Sequence, residues 1–274
     1  MLLVFFRTVA KPLLSLTILT MLVAATCKAQ TLLNPIESNP RLLIVEDSLV
    51  SIFENSTLTI QYEFIGDIND GNGFTAGRAG FTSRTGDMLE VLLEYERLSP
   101  DNVLKPYIKP LRGVYGSSNT NPIKGLKEDW SRVAKADPLF RKAQDNVNDR
   151  LYRKPAHQLA RELGLVLPIS YVALYEAGIQ HGFGDTYDSL PTIVDRANKK
   201  VGGTPKKGIN EIEWLKTFIA AREDDLRNPK NLEYKELFQF ALDRPKAIRT
   251  IIDQENENLN KQISVKVYGD VFTF

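Results

Sequence analysis

Two carboxylic acids, Glu54 and Asp70, stand sixteen positions apart on either side of a run that alternates apolar and polar residues. A carboxylic acid and a carboxylate facing each other across a cleft can break a glycosidic bond: one protonates the leaving oxygen while the other activates water on the opposite face. Leu42, Val45, Leu49, Ile52 and Phe53 recur at helical spacing, which predicts a helix over 41–53 that delivers Glu54 at its C-terminal end. The negative pole of the helix dipole lies there. It disfavours the ionised form, the direction a proton donor requires. Leu58, Ile60, Tyr62 and Phe64 alternate with polar residues and predict a strand over 58–65. The turn formers Gly66-Asp67 and Asn69-Asp70-Gly71-Asn72-Gly73 then place Asp70 in a loop at the end of a short sheet.

The elements that must hold this pair are mostly helical. Met88, Leu89, Val91, Leu92, Tyr95 and Leu98 mark a helix over 87–98, and further helices are expected over 137–151, 156–163, 167–180, 190–200 and 211–226. Residues 111–128, rich in Gly, Ser, Asn and Pro, read as a long connection separating two lobes of one domain. The expected class is α+β, mainly α-helical, with a small sheet.

Other chemistries find little to work with. His157 and His181 are the only histidines and Cys27 the only cysteine, so the common zinc constellations are not available. No glycine-rich phosphate or dinucleotide loop is present, and residues 67–73 lack the spacing of a calcium loop. No metal and no cofactor are expected. Arg7 and Lys11 precede an apolar stretch over 12–25, and small residues then lead to Ala29. Residues 1–29 are therefore expected to be a signal peptide, and residues 30–274 a single domain that is secreted, extracellular or periplasmic, with no membrane association after cleavage. A membrane anchor, or a lipid on Cys27, is the competing reading. Cleavage removes Arg7, Lys11 and Lys28 and turns a formal charge of +1 into about −2, which argues against nucleic acid as a partner.

The segment ENSTLTIQYEFIGDINDGNGFTAGRAGFTSRTGDML, residues 54–89, resembles the signature of family 46 glycoside hydrolases, the endo-chitosanases. Three later stretches match in the same order: Tyr171 to Gly182, ending in His-Gly; Trp214 to Arg222, ending in Ala-Arg; and Val267 to Asp270. The resemblance spans roughly residues 40–270. It implies a lysozyme-like two-lobed fold with its small sheet beside the catalytic cleft, acting as a monomer on chitosan and glucosamine oligosaccharides.

By the same resemblance Glu54 is the general acid, Asp70 the general base of an inverting reaction, and Thr75 positions the water. The competing reading of Thr75 is a plain β-branched strand residue. Asp87 matches a residue that recognises the glucosamine ammonium, although it also stands where it would cap the next helix. Asn55, Ser56 and His181 correspond to substrate contacts. Glu176, Arg222 and Arg244 correspond to a charge network behind the catalytic pair, with Glu176 where the family often has aspartate. Asn72 departs from the arginine many relatives carry. A lysozyme- or chitinase-like hydrolase of N-acetylated polymer and a noncatalytic chitosan-binding protein are the alternatives; Asp87 argues against the first, and Glu54, Asp70 and Thr75 together against the second.

Overall fold

The computed structural model describes residues 34–230, 232 and 235–274. The expected signal peptide and Cys27 lie outside the described residues. Helix α1 (Pro40–Asn55) opens on Asn39, whose side chain accepts from Arg41 N, and on Pro40, which has no N–H to leave unpaired. It stops where Ser56 turns left-handed, φ 52°, with its N–H on Ile52 O, so Glu54 falls in the last turn as expected.

The strand expected over 58–65 does not form; only Ile65 of that run is extended in a ladder. Strands β1 (Ile65–Asp67), β2 (Phe74–Ala76) and β3 (Phe81–Thr82) make a small antiparallel sheet in that order, with Thr75 opposite Gly66 on one side and Thr82 on the other. The alternation over 58–64 misleads because Leu58 and Phe64, the apolar ends of its supposed buried face, are exposed. Side chains hold this backbone in place of a partner strand: Tyr62 O accepts from Trp130 Nε1 at 2.9 Å and from Gln144 Nε2 at 3.0 Å.

The helices after the sheet are α2 (Asp87–Leu98), α3 (Ile108–Gly113), α4 (Leu126–Ala136), α5 (Pro138–Asn148), α6 (Lys154–Leu163) and α7 (Pro168–His181). They continue with α8 (Leu190–Val201), α9 (Glu211–Arg227), α10 (Lys235–Phe240) and α11 (Asp243–Asp253). The hairpin β4 (Ser264–Val267) and β5 (Asp270–Thr273) closes the chain on Tyr268 and Gly269, φ 53° and 96°, the paired left-handed residues a two-residue turn needs. The connection expected over 111–128 instead contains the end of α3 and the start of α4. Leu126, Trp130, Val133 and Ala134 are spaced for one buried helical face, a signal masked by the Gly- and Pro-rich residues before it. Among the described residues no helix is long and apolar enough to cross a membrane.

Among the described residues two large hydrophobic cores result, with a small third cluster of Leu226, Phe238 and Ala241. One gathers Phe81, Met88, Leu92, Trp130 and Phe140 from the sheet and α2, α4 and α5. The other surrounds α7, whose residues from Pro168 to Gly178 are buried on every side, and takes in Leu49, Trp214, Phe218 and Ile248. Helix α5 runs into α6 through a π-turn, Asp149–Arg153, because Pro155 has no N–H to return to Leu151. Tyr152, in that turn, packs against both cores. A chain of ion pairs surrounds it: Arg153 reaches Glu46 at 2.9 Å, Asp149 at 2.8 Å and also Asp47, while Asp47 holds Arg78 at 2.7 Å. Arg78 follows β2 in sequence, so these pairs fasten the sheet to α1.

Candidate active site

Glu54, Asn55, Ser56, Asp70, Thr75 and Arg244 line one cavity of about 770 Å³. Two elements remote in sequence converge on Glu54. Its Oε1 accepts from Arg244 Nη1 at 2.5 Å, Arg244 Nε donates to the Tyr268 hydroxyl at 2.8 Å, and that hydroxyl donates to Phe53 O at 3.1 Å. Burial works against the Arg244 charge, but Glu54 and Tyr268 outweigh it and raise its pKa, so the guanidinium stays charged.

The other carboxyl oxygen points elsewhere. A Cβ on Gly80 would stand 3.6 Å from Glu54 Oε2 and 3.5 Å from Thr75 Cγ2, so Oε2 and the Thr75 side chain meet across that glycine. Thr75 Oγ1 is buried without a hydrogen-bond partner among the described residues, as is Asn55 Nδ2. A buried hydroxyl left unpaired costs about 1–3 kcal/mol, which a guest oxygen in the cavity would recover.

Asp70 sits in the loop between β1 and β2. Its Oδ1 accepts from Asn72 N at 3.0 Å and its Oδ2 from Asn72 Nδ2 at 2.9 Å. The loop is itself tethered: Asn72 O accepts from Arg84 N at 3.2 Å, and Arg84 Nη1 donates to Gly71 O at 3.1 Å. Reading the sequence missed this use of Asn72 and registered only the missing arginine. The signal was present, since Asp-Gly-Asn can close an Asx turn from the Asp side chain to the N–H two residues on.

A second cavity, about 570 Å³, shares Asn72, Gly80, Thr82 and Phe238 with the first and is lined by Asp87, Tyr152 and His181. Asp87 Oδ1 accepts from Thr82 N, Thr85 Oγ1 and Met88 N, and Oδ2 accepts from the Tyr152 hydroxyl at 2.7 Å. It therefore anchors the first turn of α2, whose N-cap position is Gly86, while facing the groove. Burial raises its pKa against the pull of these bonds. His181 is more enclosed. Nδ1–H donates to Asp188 O at 2.9 Å and Nε2 accepts from Arg222 Nε at 3.2 Å, which fixes the tautomer. Burial lowers its pKa to about 4, so the ring is neutral and both nitrogens are occupied by protein.

The expected charge network divides into two halves. Arg222 grips both Glu176 oxygens, with Nη2 to Oε2 at 2.8 Å, and donates to Gln180 Oε1 at 2.6 Å. Arg244 belongs instead to Glu54. Arg222 is completely enclosed, and burial, followed by repulsion from Arg244, lowers its pKa to about 9.

A mainly helical α+β fold, with two carboxyl groups and an unpartnered hydroxyl around one groove, has the form of a glycosidase site. The model of glycosyl hydrolase family 46 matches residues 48–263. A chitosanase of Bacillus subtilis is 42% identical over 222 residues, covering 80% of either chain, and a chitosanase of a Streptomyces species is 36% identical over 231 residues, covering 82% of this chain and 78% of the other. Among solved structures, a Gynuella sunshinyii family 46 chitosanase in complex with chitotetraose superposes with a TM-score of 0.82 at 40% identity, covering 86% of this chain and 98% of that one. A mutant Bacillus subtilis chitosanase complexed with six GlcN gives the same TM-score, identity and coverage. The chain belongs to glycosyl hydrolase family 46, and its fold is the lysozyme-like fold of that family.

Proposed function

We propose that this enzyme is a chitosanase that hydrolyses internal β-1,4 bonds of chitosan in a single displacement with inversion. The observation that carries this reading is the shared cavity, in which Glu54 Oε2 and Thr75 converge on Gly80 and Asp70 is held by Asn72. Family membership and the sugar complexes of the relatives support the substrate class.

Glu54 gives its proton from Oε2 to the glycosidic oxygen as the bond from that oxygen to the anomeric carbon breaks. Asp70 takes a proton from the water whose oxygen attacks the same carbon from the opposite face, and Thr75 Oγ1 orients this water. Glu54 ends ionised and Asp70 protonated, and exchange with solvent restores both. Arg244, on Oε1, stabilises the carboxylate that Glu54 becomes. Asp87, facing the adjoining cavity, accepts the ammonium of a glucosamine unit. An N-acetyl group there would leave a buried carboxylate without that partner. The basic and apolar N-terminus supports export, and we propose action outside the cytoplasm as a monomer.

The test is stereochemical. Proton NMR of a glucosamine oligomer, with enough enzyme to outrun mutarotation, is expected to show the α-anomer rising first. First accumulation of the β-anomer would overturn the roles of both carboxyl groups, because one displacement through water cannot retain configuration.

A further inference from the structure

The groove does not end at Asp87. Beyond it lies a cavity of about 650 Å³, continuous with the previous one through Thr85, Asp87, Tyr152 and Gly182. None of the residues assigned a catalytic task reaches it.

Two aromatic rings are seated there on glycines. Tyr115 lies over Gly86, where a Cβ would come within 2.9 Å of the ring; Phe183 lies over Gly178, where a Cβ would come within 2.5 Å. Neither seat admits a larger residue without displacing its ring. Tyr115 is nonetheless 68% exposed, and its loop is tied down by Gly116 N to Arg84 O at 2.8 Å. A large aromatic face standing in water over a glycine at the edge of a groove has little to do for the core. It offers a flat apolar surface at small entropic cost to whatever lies in the groove.

The polar group in this cavity has the sign a glucosamine ring requires. Glu90 stands one helical turn after Asp87 on α2, so the two carboxyl groups lie on one face of the helix. Its side chain is 42% exposed, and its partner Arg150, at 2.8 Å, is 54% exposed. Such a surface pair contributes little and exchanges readily. Arg150 also lies near a second carboxylate, Glu94, whose pKa it helps to lower after the larger effect of Arg97 and with Asn146. An incoming ammonium can therefore take Glu90 while Arg150 turns to Glu94.

We propose that Tyr115 and Glu90 form a further glucosamine subsite, one step beyond the unit held at Asp87 and away from the scissile bond. A sugar ring stacks on Tyr115 and its ammonium pairs with Glu90. The inference rests on the chitosan reading of the site. It makes the enzyme measure chain length, since only an oligomer long enough to pass Asp87 gains the extra contacts.

The experiment compares kcat/KM for glucosamine oligomers of increasing length in the parent, Tyr115→Ala, Glu90→Gln and Arg150→Ala. In the parent, kcat/KM is expected to rise steeply when the chain becomes long enough to enter the new subsite. In Tyr115→Ala and Glu90→Gln the ratio of long-oligomer to short-oligomer kcat/KM should fall about tenfold. In Arg150→Ala, which frees Glu90, the ratio should rise. Equal losses at every length, or an unchanged ratio in all three variants, would overturn the subsite. If the parent hydrolyses no glucosamine oligomer of any length, the chitosan reading itself fails, which is a distinct outcome.

Discussion

Asn72 donates to both oxygens of Asp70, the main-chain N–H to Oδ1 at 3.0 Å and the side-chain amide to Oδ2 at 2.9 Å. The carboxylate is thus aimed by a residue of its own loop, and Arg84 holds that loop from outside. Asn72→Ala keeps the main-chain bond and removes the other, so Asp70 can swing while the sugar contacts stay in place. Misplacement of a reacting group by about 1 Å costs on the order of 10²-fold in rate. Steady-state kinetics should show kcat lower by about 10- to 100-fold with KM within about twofold. A change confined to KM would assign Asn72 to sugar binding.

Thr75 separates activity from stability. Its Oγ1 is buried and unpartnered, so Thr75→Val removes no protein hydrogen bond and relieves a polar group of its burial penalty. The melting temperature should hold or rise while kcat falls about tenfold or more, and Thr75→Ser should retain most of the activity. Parallel losses of stability and rate would make Thr75 a packing residue.

Arg244 should behave in the opposite way. Its pair with Glu54 has side chains only 13% and 12% exposed, and removal of one partner from a buried pair costs about 3–5 kcal/mol. Arg244→Met is expected to lower both the melting temperature and kcat. Tyr268→Phe, which removes only one member of the chain, should do less of each. Normal turnover in Arg244→Met would show that Glu54 needs no cation.

Asp87 anchors the start of α2 and, on the proposed function, also meets the glucosamine ammonium, and its substitution should separate the two. Asp87→Asn swaps a carboxylate that accepts four hydrogen bonds for an amide that accepts on one atom only, so thermal melts should show a loss of stability. Activity per folded molecule should fall further on fully deacetylated chitosan than on partly acetylated chitosan. Equal losses on the two polymers would leave only the structural role.

His181 predicts a pH effect of definite sign. Its folded pKa of about 4 lies below the ordinary histidine value of 6.5, so between these values the unfolded chain takes up a proton the native ring refuses, and stability falls as pH falls. Asp225, 3.7 Å from Nδ1 and pushed up to about 6 by burial, titrates in the opposite sense, so the parent curve alone is ambiguous. The difference between parent and His181→Gln isolates the histidine. Relative to its deficit at pH 7.5, the variant should recover about 2 kcal/mol against the parent at pH 5, measured by denaturant unfolding. A deficit independent of pH would refute the buried neutral ring.

What could be read in advance followed from local physics. The stripe Leu42, Val45, Leu49, Ile52 and Phe53 defined α1 and the position of Glu54, and the turn formers around Asp70 defined its loop. The strand over 58–65 failed because alternation specifies a strand only when one face is buried, whereas here Tyr62 O is satisfied by Trp130 and Gln144 from helices far along the chain. For the same reason the division of the arginines, Arg222 to Glu176 and Arg244 to Glu54, had no local signal. Long-range pairing of identical residue types depends on the finished packing. The Asn72 bond was legible, because Asp-Gly-Asn sets the Asp side chain against the N–H two residues on.

The contact between Arg244 and Glu54 spans 190 positions of sequence, and Tyr268, which braces it, lies farther along still. A ribosome makes Glu54 well before Arg244 and Tyr268, so until those are made the growing chain carries Glu54 without the cation and phenol that orient it. On the proposed roles, cutting the polymer therefore waits for both. A stalled or clipped product lacking α11 and the β4–β5 hairpin would keep Glu54 and Asp70 in its sequence and still be an unarmed protein.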